Sequence, residues 1–181
     1  MKTSSETPVD RSGSGRVLII MAKAPRPGNV KTRLTPGISP TAVTDLYWCL
    51  LEDTLSLARS LSDVEVAIVC PESDVNELTK LAGGEAIVVA QKGDGLAAGL
   101  TSAFAHFLDG RQRSTIAFNS DSPHLPPSII KDAFEMLASR DVVVENLGPG
   151  CARTATTSFV FYRYPIGATM RSFLQNVIRE L

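Results

Sequence analysis

Apolar residues in this chain alternate between two spacings. Short continuous runs, "VLIIM" (Val17–Met21), "VEVAIVC" (Val64–Cys70), "AIVVA" (Ala86–Ala90), "STIAFN" (Ser114–Asn119) and "DVVVE" (Asp141–Glu145), are too brief for helices. Their nearly unbroken hydrophobicity predicts strands, the central ones covered on both faces. Between them, apolar residues return at three- and four-residue steps, the period of a helix with one buried face. Val43, Leu46, Tyr47, Leu50, Leu51, Leu55, Ala58 and Leu61 trace the first helix, with Ser39 as its N-cap and Pro40 in its first turn. "SDVNELTKLAGG" predicts a short second helix closed by Gly83. Leu96, Leu100, Phe104, Phe107 and Leu108 mark a third, and Ile129, Ile130, Ala133, Phe134 and Leu137 a fourth.

Strand following helix following strand predicts an α/β fold: a mostly parallel sheet with helices on both faces and right-handed crossovers. Ligands of such sheets sit beyond the carboxyl ends of the strands. Three loops predicted at that edge carry the polar interest: Lys23–Arg33, Lys92–Gly95 and Asn119–His124.

Bulk composition narrows the classes. A length of 181 residues suits one domain with a real core, and 44% hydrophobic with 20% charged residues is ordinary for a globular chain. Residues 1–15 read as a disordered, Ser- and Gly-rich tail, and 16–181 as a single domain, atypical after about residue 150. With 18 Lys+Arg against 19 Asp+Glu the net charge is −1, which argues against a general nucleic-acid or membrane-surface binder. The apolar run after the tail is too short to span a bilayer and lacks the layout of a signal peptide, so a cytoplasmic location is expected. Cys49, Cys70 and Cys151 are odd in number and far apart, and read as reduced hydrophobes rather than metal ligands.

Any anion site therefore rests on local arrangement, and the first loop supplies one. Lys23, Arg26, Lys31 and Arg33 crowd around Pro25, Pro27 and Gly28 with no acidic residue between them. Lysine and arginine offer the charge and multiple donors that a di- or triphosphate requires, while glycine and proline let a rigid backbone come close. The competing reading is a set of solvated surface cations. Neither a GxxxxGK[ST] loop nor a GxGxxG turn is present. In "FNSDSPHLP", Asp121 follows the fourth strand, where a carboxylate could hold Mg²⁺ or Mn²⁺ against phosphate oxygens. Asp and Ser before proline are equally common turn formers. "KGDG" could open a helix whose amides face an anion, or Asp94 could be a simple cap. His106 reads as structural or solvent-facing, and His124 as a candidate substrate contact.

"MAKAPRPGNVKTRL", "LYWCLLEDTL", "GLAAGLTSAFAHF" and "NSDSPHLP" together resemble a glycosyltransferase-A-like branch of the nucleotide-diphospho-sugar transferase superfamily, itself similar to 2-phospho-L-lactate guanylyltransferases. The resemblance runs from about Val17 to Val144. It implies a three-layer, Rossmann-like α/β/α sandwich that binds a nucleoside triphosphate or nucleotide-sugar through Mg²⁺ or Mn²⁺ and passes a group to a small-molecule acceptor. By position, Lys23, Lys31 and Arg33 join the phosphate loop, with Arg26 and Gly28 inside it. Asp121 stands at the metal-binding aspartate, with Ser120 beside it as an expected substrate contact. Gly93 and Asp94 match a turn that the family usually writes as Gly, a variable residue, then Asp-Leu-Gly; here the order is Gly-Asp-Gly-Leu.

Three activities follow from the resemblance: glycosyl transfer, nucleotidyl transfer of the guanylyltransferase kind, and nucleotide binding without turnover. The last arises because the family follows "DVVV" with Gly-Pro, a spacer, and Asp-Gly-Gly-Tyr-Tyr-Leu-Ile-Gly. This chain keeps Gly148 and Pro149 but continues "GCARTATTSFVFYRY", in which "SFVFYRY" reads as a strand and Phe173, Val177 and Leu181 as the start of a helix. Read from the third base of the Arg153 codon, Thr154 to Thr157 give NAC, NGC, NAC and NAC, which permit Asp-Gly-Tyr-Tyr. The expectation is that the chain beyond about Cys151 is translated out of the ancestral frame, the competing reading being a genuinely divergent ending. The gene sequence tests this directly: wobble bases that spell Asp-Gly-Tyr-Tyr in the shifted frame are expected, and any that forbid it remove the idea.

Overall fold

A strand with no face for water belongs in the middle of a sheet. β1 (Arg16–Met21) is such a strand, with Val17 to Ile20 at most 1% exposed. The computed structural model describes residues 15–108, 114–140, 142–146 and 158–162. Most of the expected tail, residues 147–157 where the frame change is expected to begin, and Phe173, Val177 and Leu181 lie outside the described residues.

β1 pairs in parallel with β2 (Glu65–Cys70) on one side and β4 (Ser114–Asn119) on the other, and β3 (Ile87–Ala90) extends the sheet beyond β2. β6 (Ser158–Tyr162) inserts antiparallel between β4 and β5 (Val142–Asn146), giving the order β3-β2-β1-β4-β6-β5. Because β6 opposes both neighbours, β5 runs parallel to β4. Strand order thus advances outward from β1 to β3, then reverses at β1/β4, the switch point where open α/β sheets form a crevice.

Side-chain alternation along each strand divides the core in two. α1 (Pro40–Arg59), α2 (Val75–Ala82) and α4 (Pro127–Met136) pack on the face of Leu18, Ile20, Val66, Ile68, Ile116 and Phe118. α3 (Gly95–Phe107) covers Val17, Ile19, Ala67, Val69 and Ala117 on the opposite face. This is the expected three-layer α/β/α sandwich with a mostly parallel sheet. The Ser39 hydroxyl accepts from the Ala42 amide at the start of α1, and Gly83 closes α2 with φ of +60°, both as read from the sequence.

Two positions differ. Leu46 is 43% exposed: at 100° per residue it falls about 60° outside the arc spanned by Val43, Tyr47, Leu51 and Leu55. Leu96 is 57% exposed because it occupies the first turn of α3, before the helix passes over the sheet. Phe104, fully buried on the same helix, therefore provides the sharper test. Phe104→Ala should cost about 3–5 kcal/mol in chemical denaturation, and Leu96→Ala should stay within about 0.5 kcal/mol of the parent.

Candidate functional site

The chain leaves β1 into a loop fixed at its start. The Ala22 amide donates to the Val69 carbonyl (3.0 Å), and the buried Ala24 amide donates to Asp74 Oδ2 (2.9 Å). Arg26 extends the same anchorage. Its Nη1 meets Asp74 Oδ1 at 2.8 Å, its Nη2 meets Glu77 Oε2 at 2.8 Å, and Nη2 also donates to the Ser73 carbonyl (3.2 Å). The hydrogen bond to Glu77 is the largest influence raising the Arg26 pKa, so its charge is secure. Arg26 was read from the sequence as a phosphate contact; the structure commits its guanidinium to the start of α2.

Beyond Arg26 the loop turns through Gly28 (φ +80°) and buries Val30 in the α1-side core. Lys31 follows with φ 46° and ψ 36°, a left-handed conformation that costs a non-glycine residue on the order of 1 kcal/mol. The Leu34 amide bonds back to the Lys31 carbonyl (2.9 Å), opening the 3₁₀ turn Thr32–Leu34 that carries the exposed Arg33. Backbone strain is tolerated where tertiary contacts demand it, and here the Lys31 ammonium forms an ion pair with Asp121 Oδ2.

Asp121 comes from the loop after β4. Parallel pairing sets Met21 opposite Asn119, so the two strands end level and their loops emerge side by side. Tyr47 of α1 holds them together. Its hydroxyl accepts from the Lys23 amide (3.1 Å), lies 3.2 Å from the Lys23 carbonyl, and is 2.8 Å from Ser120 Oγ. Burial, above all, raises the Tyr47 pKa, so the phenol stays protonated and able to donate. Ser120 and Ser122 are both buried, which leaves Asp121 between them as the partly exposed group. Desolvation, then the neighbouring Arg33 charge, lowers the Lys31 pKa.

The third loop is tied to α3. The Gln91 amide donates to the Cys70 carbonyl (2.8 Å), Gln91 Nε2 to the Gly93 carbonyl (3.1 Å), and the Lys92 amide to Ser102 Oγ (3.0 Å). Gly93 needs its φ of +80°, and a Cβ there would press on the Ala98 Cβ at 3.0 Å. Asp94 occupies the N-cap position of α3 without a side-chain cap bond. An open groove of about 540 Å³ runs along Lys92, Asp94, Ala98, Thr101 and Ser102. β3 lies three strand positions from β4, so the carboxyl ends of these two strands stand roughly 14 Å apart along the edge.

The structure therefore brings Lys31, Asp121, Ser120 and the Lys23 backbone together, keeps Arg33 close to Lys31, diverts Arg26, and places Gly93 and Asp94 farther along the rim. Among the described residues no three His, Cys, Asp or Glu side chains gather as a metal cage. A lone carboxylate suits a hard cation only in company with phosphate oxygens and water, a donor set typical of Mg²⁺. Sequence reasoning missed Asp74, Glu77 and Tyr47. Asp74 is 6% exposed and accepts three hydrogen bonds, from Ala24, Arg26 and Ser73. Asp74→Ala should destabilise the fold by about 2 kcal/mol or more in chemical denaturation, with a smaller loss for Asp74→Asn.

Solved structures share this architecture. A nucleotide-diphospho-sugar transferase-like protein from Desulfovibrio desulfuricans G20 is 22% identical, with a TM-score of 0.69 over 82% of this chain and 63% of its own. The chain thus spans somewhat under two thirds of that protein. 4-Diphosphocytidyl-2C-methyl-D-erythritol synthase from Anaerococcus prevotii DSM 20548 is 11% identical, with a TM-score of 0.55 over 91% of this chain and 76% of its own. Rv0371c from Mycobacterium tuberculosis H37Rv, solved in complex with manganese, is 17% identical, with a TM-score of 0.54 over 91% and 80%. At these identities the likeness establishes the fold. No curated protein matches the sequence. A family profile described as "Uncharacterized protein conserved in bacteria (DUF2064)" matches residues 54–150, more than half of the 181-residue chain, and the chain belongs to that family.

Proposed function

We propose that the chain is a metal-dependent transferase acting on a nucleotide-activated donor. One observation carries the reading: a strained, half-buried lysine and an aspartate from loops about ninety residues apart in sequence meet at the switch point of a parallel sheet. Such a pairing matches a polyanion bound with a divalent ion. Fold relatives named as a nucleotide-diphospho-sugar transferase-like protein and as a diphosphocytidyl-forming synthase support the donor class, and the manganese complex of Rv0371c supports the ion.

In this reading Lys23, Lys31 and Arg33 neutralise the donor phosphates, and Gly28 gives their loop its turn. Asp121 would hold Mg²⁺ or Mn²⁺, whose chemistry is to offset charge on phosphate oxygens. Ser120 is held by Tyr47 and fixes the Asp121 loop. Gly93 and Asp94 line the far rim, where a donor extended along the edge would reach. Arg26 acts on the loop's shape and not on the ligand. The chain's own contribution is positioning and charge complementarity as an acceptor oxygen attacks. The site favours no general base.

Glycosyl transfer and nucleotidyl transfer use the same donor pocket and are separated by products. Pyrophosphate release from a nucleoside triphosphate and a phosphorylated hydroxy acid marks the guanylyltransferase-like route. Transfer from a nucleotide-sugar alone marks the other, and binding without turnover across an acceptor panel marks a non-catalytic nucleotide binder. The donor site itself is tested by calorimetric titration with nucleoside triphosphates and nucleotide-sugars, with and without Mn²⁺. Lys31→Ala should weaken nucleotide binding by about tenfold or more, and Asp121→Ala should abolish the dependence on Mn²⁺. Variants that both bind like the parent would place the pocket elsewhere.

A further inference from the structure

Lys31 has been given two partners, the Asp121 carboxylate it touches and the phosphates it would neutralise. One ammonium cannot be saturated by both. Asp121 Oδ2 faces Lys31 Nζ, and among the described residues no three His, Cys, Asp or Glu side chains gather to hold a cation there. A divalent cation approaching that carboxylate meets a fixed positive charge already seated there.

The seat is built, not incidental. Val30, buried in the core at 4% exposure, anchors the residue before Lys31, and the bond from the Leu34 amide fixes the residue's own carbonyl. The left-handed backbone between these anchors directs the side chain to the β4 loop. On the other side, the Tyr47–Ser120 hydrogen bond fixes the residue before Asp121. Both halves of the pair are thus held by backbone neighbours that do not depend on the pair.

We propose that Lys31 is the built-in occupant of the Asp121 cation position, so that a bare divalent ion is excluded and cation and phosphate ligand enter together. A phosphate-bearing ligand resolves the conflict by giving Lys31 a new anion and giving the incoming ion further oxygen donors. The two ligands are then positively coupled, and by linkage each raises the affinity of the other by the same factor. The coupling half of this inference rests on the nucleotide-binding reading above; exclusion of the bare ion does not.

Mn²⁺ alone is the discriminating probe. Calorimetry should show Lys31→Met binding Mn²⁺ tighter than the parent by up to about fivefold, the factor expected for releasing one partly exposed ion pair. Lys31→Arg, which keeps the charge, should bind Mn²⁺ close to parental affinity. In the parent, Mn²⁺ without nucleotide should leave acylation of Lys31 unchanged in a lysine-footprinting experiment read by mass spectrometry, a measurement independent of how the variants fold. Equal or weaker Mn²⁺ binding by Lys31→Met, or parental Lys31 acylation that rises with Mn²⁺ alone, overturns the proposal. Failure of every nucleotide to bind the parent, with the Mn²⁺ results as expected, would instead sink the transferase reading and leave the exclusion standing.

Discussion

Parallel pairing of β1 with β4, with Met21 opposite Asn119, is the constraint on which the site depends. A sheet register is costly to change, because a one-residue slip would carry every side chain of a strand to the opposite face, where the helices are packed against other residues. Val17, Leu18, Ile19 and Ile20 on β1, and Thr115 to Phe118 on β4, are all buried, so the register is fixed from both faces. Two loops that share no sequence proximity are thereby delivered to one height on one edge. The Tyr47 hydroxyl, reaching up from α1, turns that adjacency into a fixed geometry through Lys23 and Ser120.

Charge at this edge is divided between two separate tasks. Arg26, Asp74 and Glu77 form a cluster that gives the first loop its path, and Asp74 binds the loop backbone as well as the guanidinium. Lys31 and Asp121 form a pair held by their surroundings and open to solvent by about a third and a fifth of their side chains. The first arrangement is a support whose members satisfy one another. The second leaves an anion and a cation where a ligand carrying both signs can exchange with them. A chain of net charge −1 thus reaches a strongly polar rim without any general excess of one sign.

Local periodicity made most of the fold legible. Unbroken runs such as Val17–Met21 can only be central strands, and the Ser39–Pro40 start and Gly83 stop locate two helix ends through chemistry confined to a few residues. The loops bearing Lys31 and Asp121 were legible as well, since strand order in an alternating α/β chain places them on one edge. What the sequence concealed depends on distant partners. Asp74 meets Ala24 across 50 residues and Tyr47 meets Ser120 across 73, so neither role leaves a local trace. Tyr47 registered only as an apolar step on α1, and Arg26 as one more cation in a basic loop. The insertion of β6 between β4 and β5 is of the same kind, because pairing order is settled by the whole sheet and not by the composition of "SFVFY".

Paramagnetic broadening of backbone amides by Mn²⁺ in the presence of a nucleoside triphosphate tests the central claim, that the carboxyl ends of β1 and β4 form one cation-and-phosphate site. The amides of Lys31, Thr32, Ser120 and Asp121 should broaden first and together. Those of Arg16 and Ser114, at the opposite ends of six-residue strands and so on the order of 17 Å away, should stay sharp the longest. Broadening centred on Arg16 and Ser114, or on one loop without the other, would contradict it.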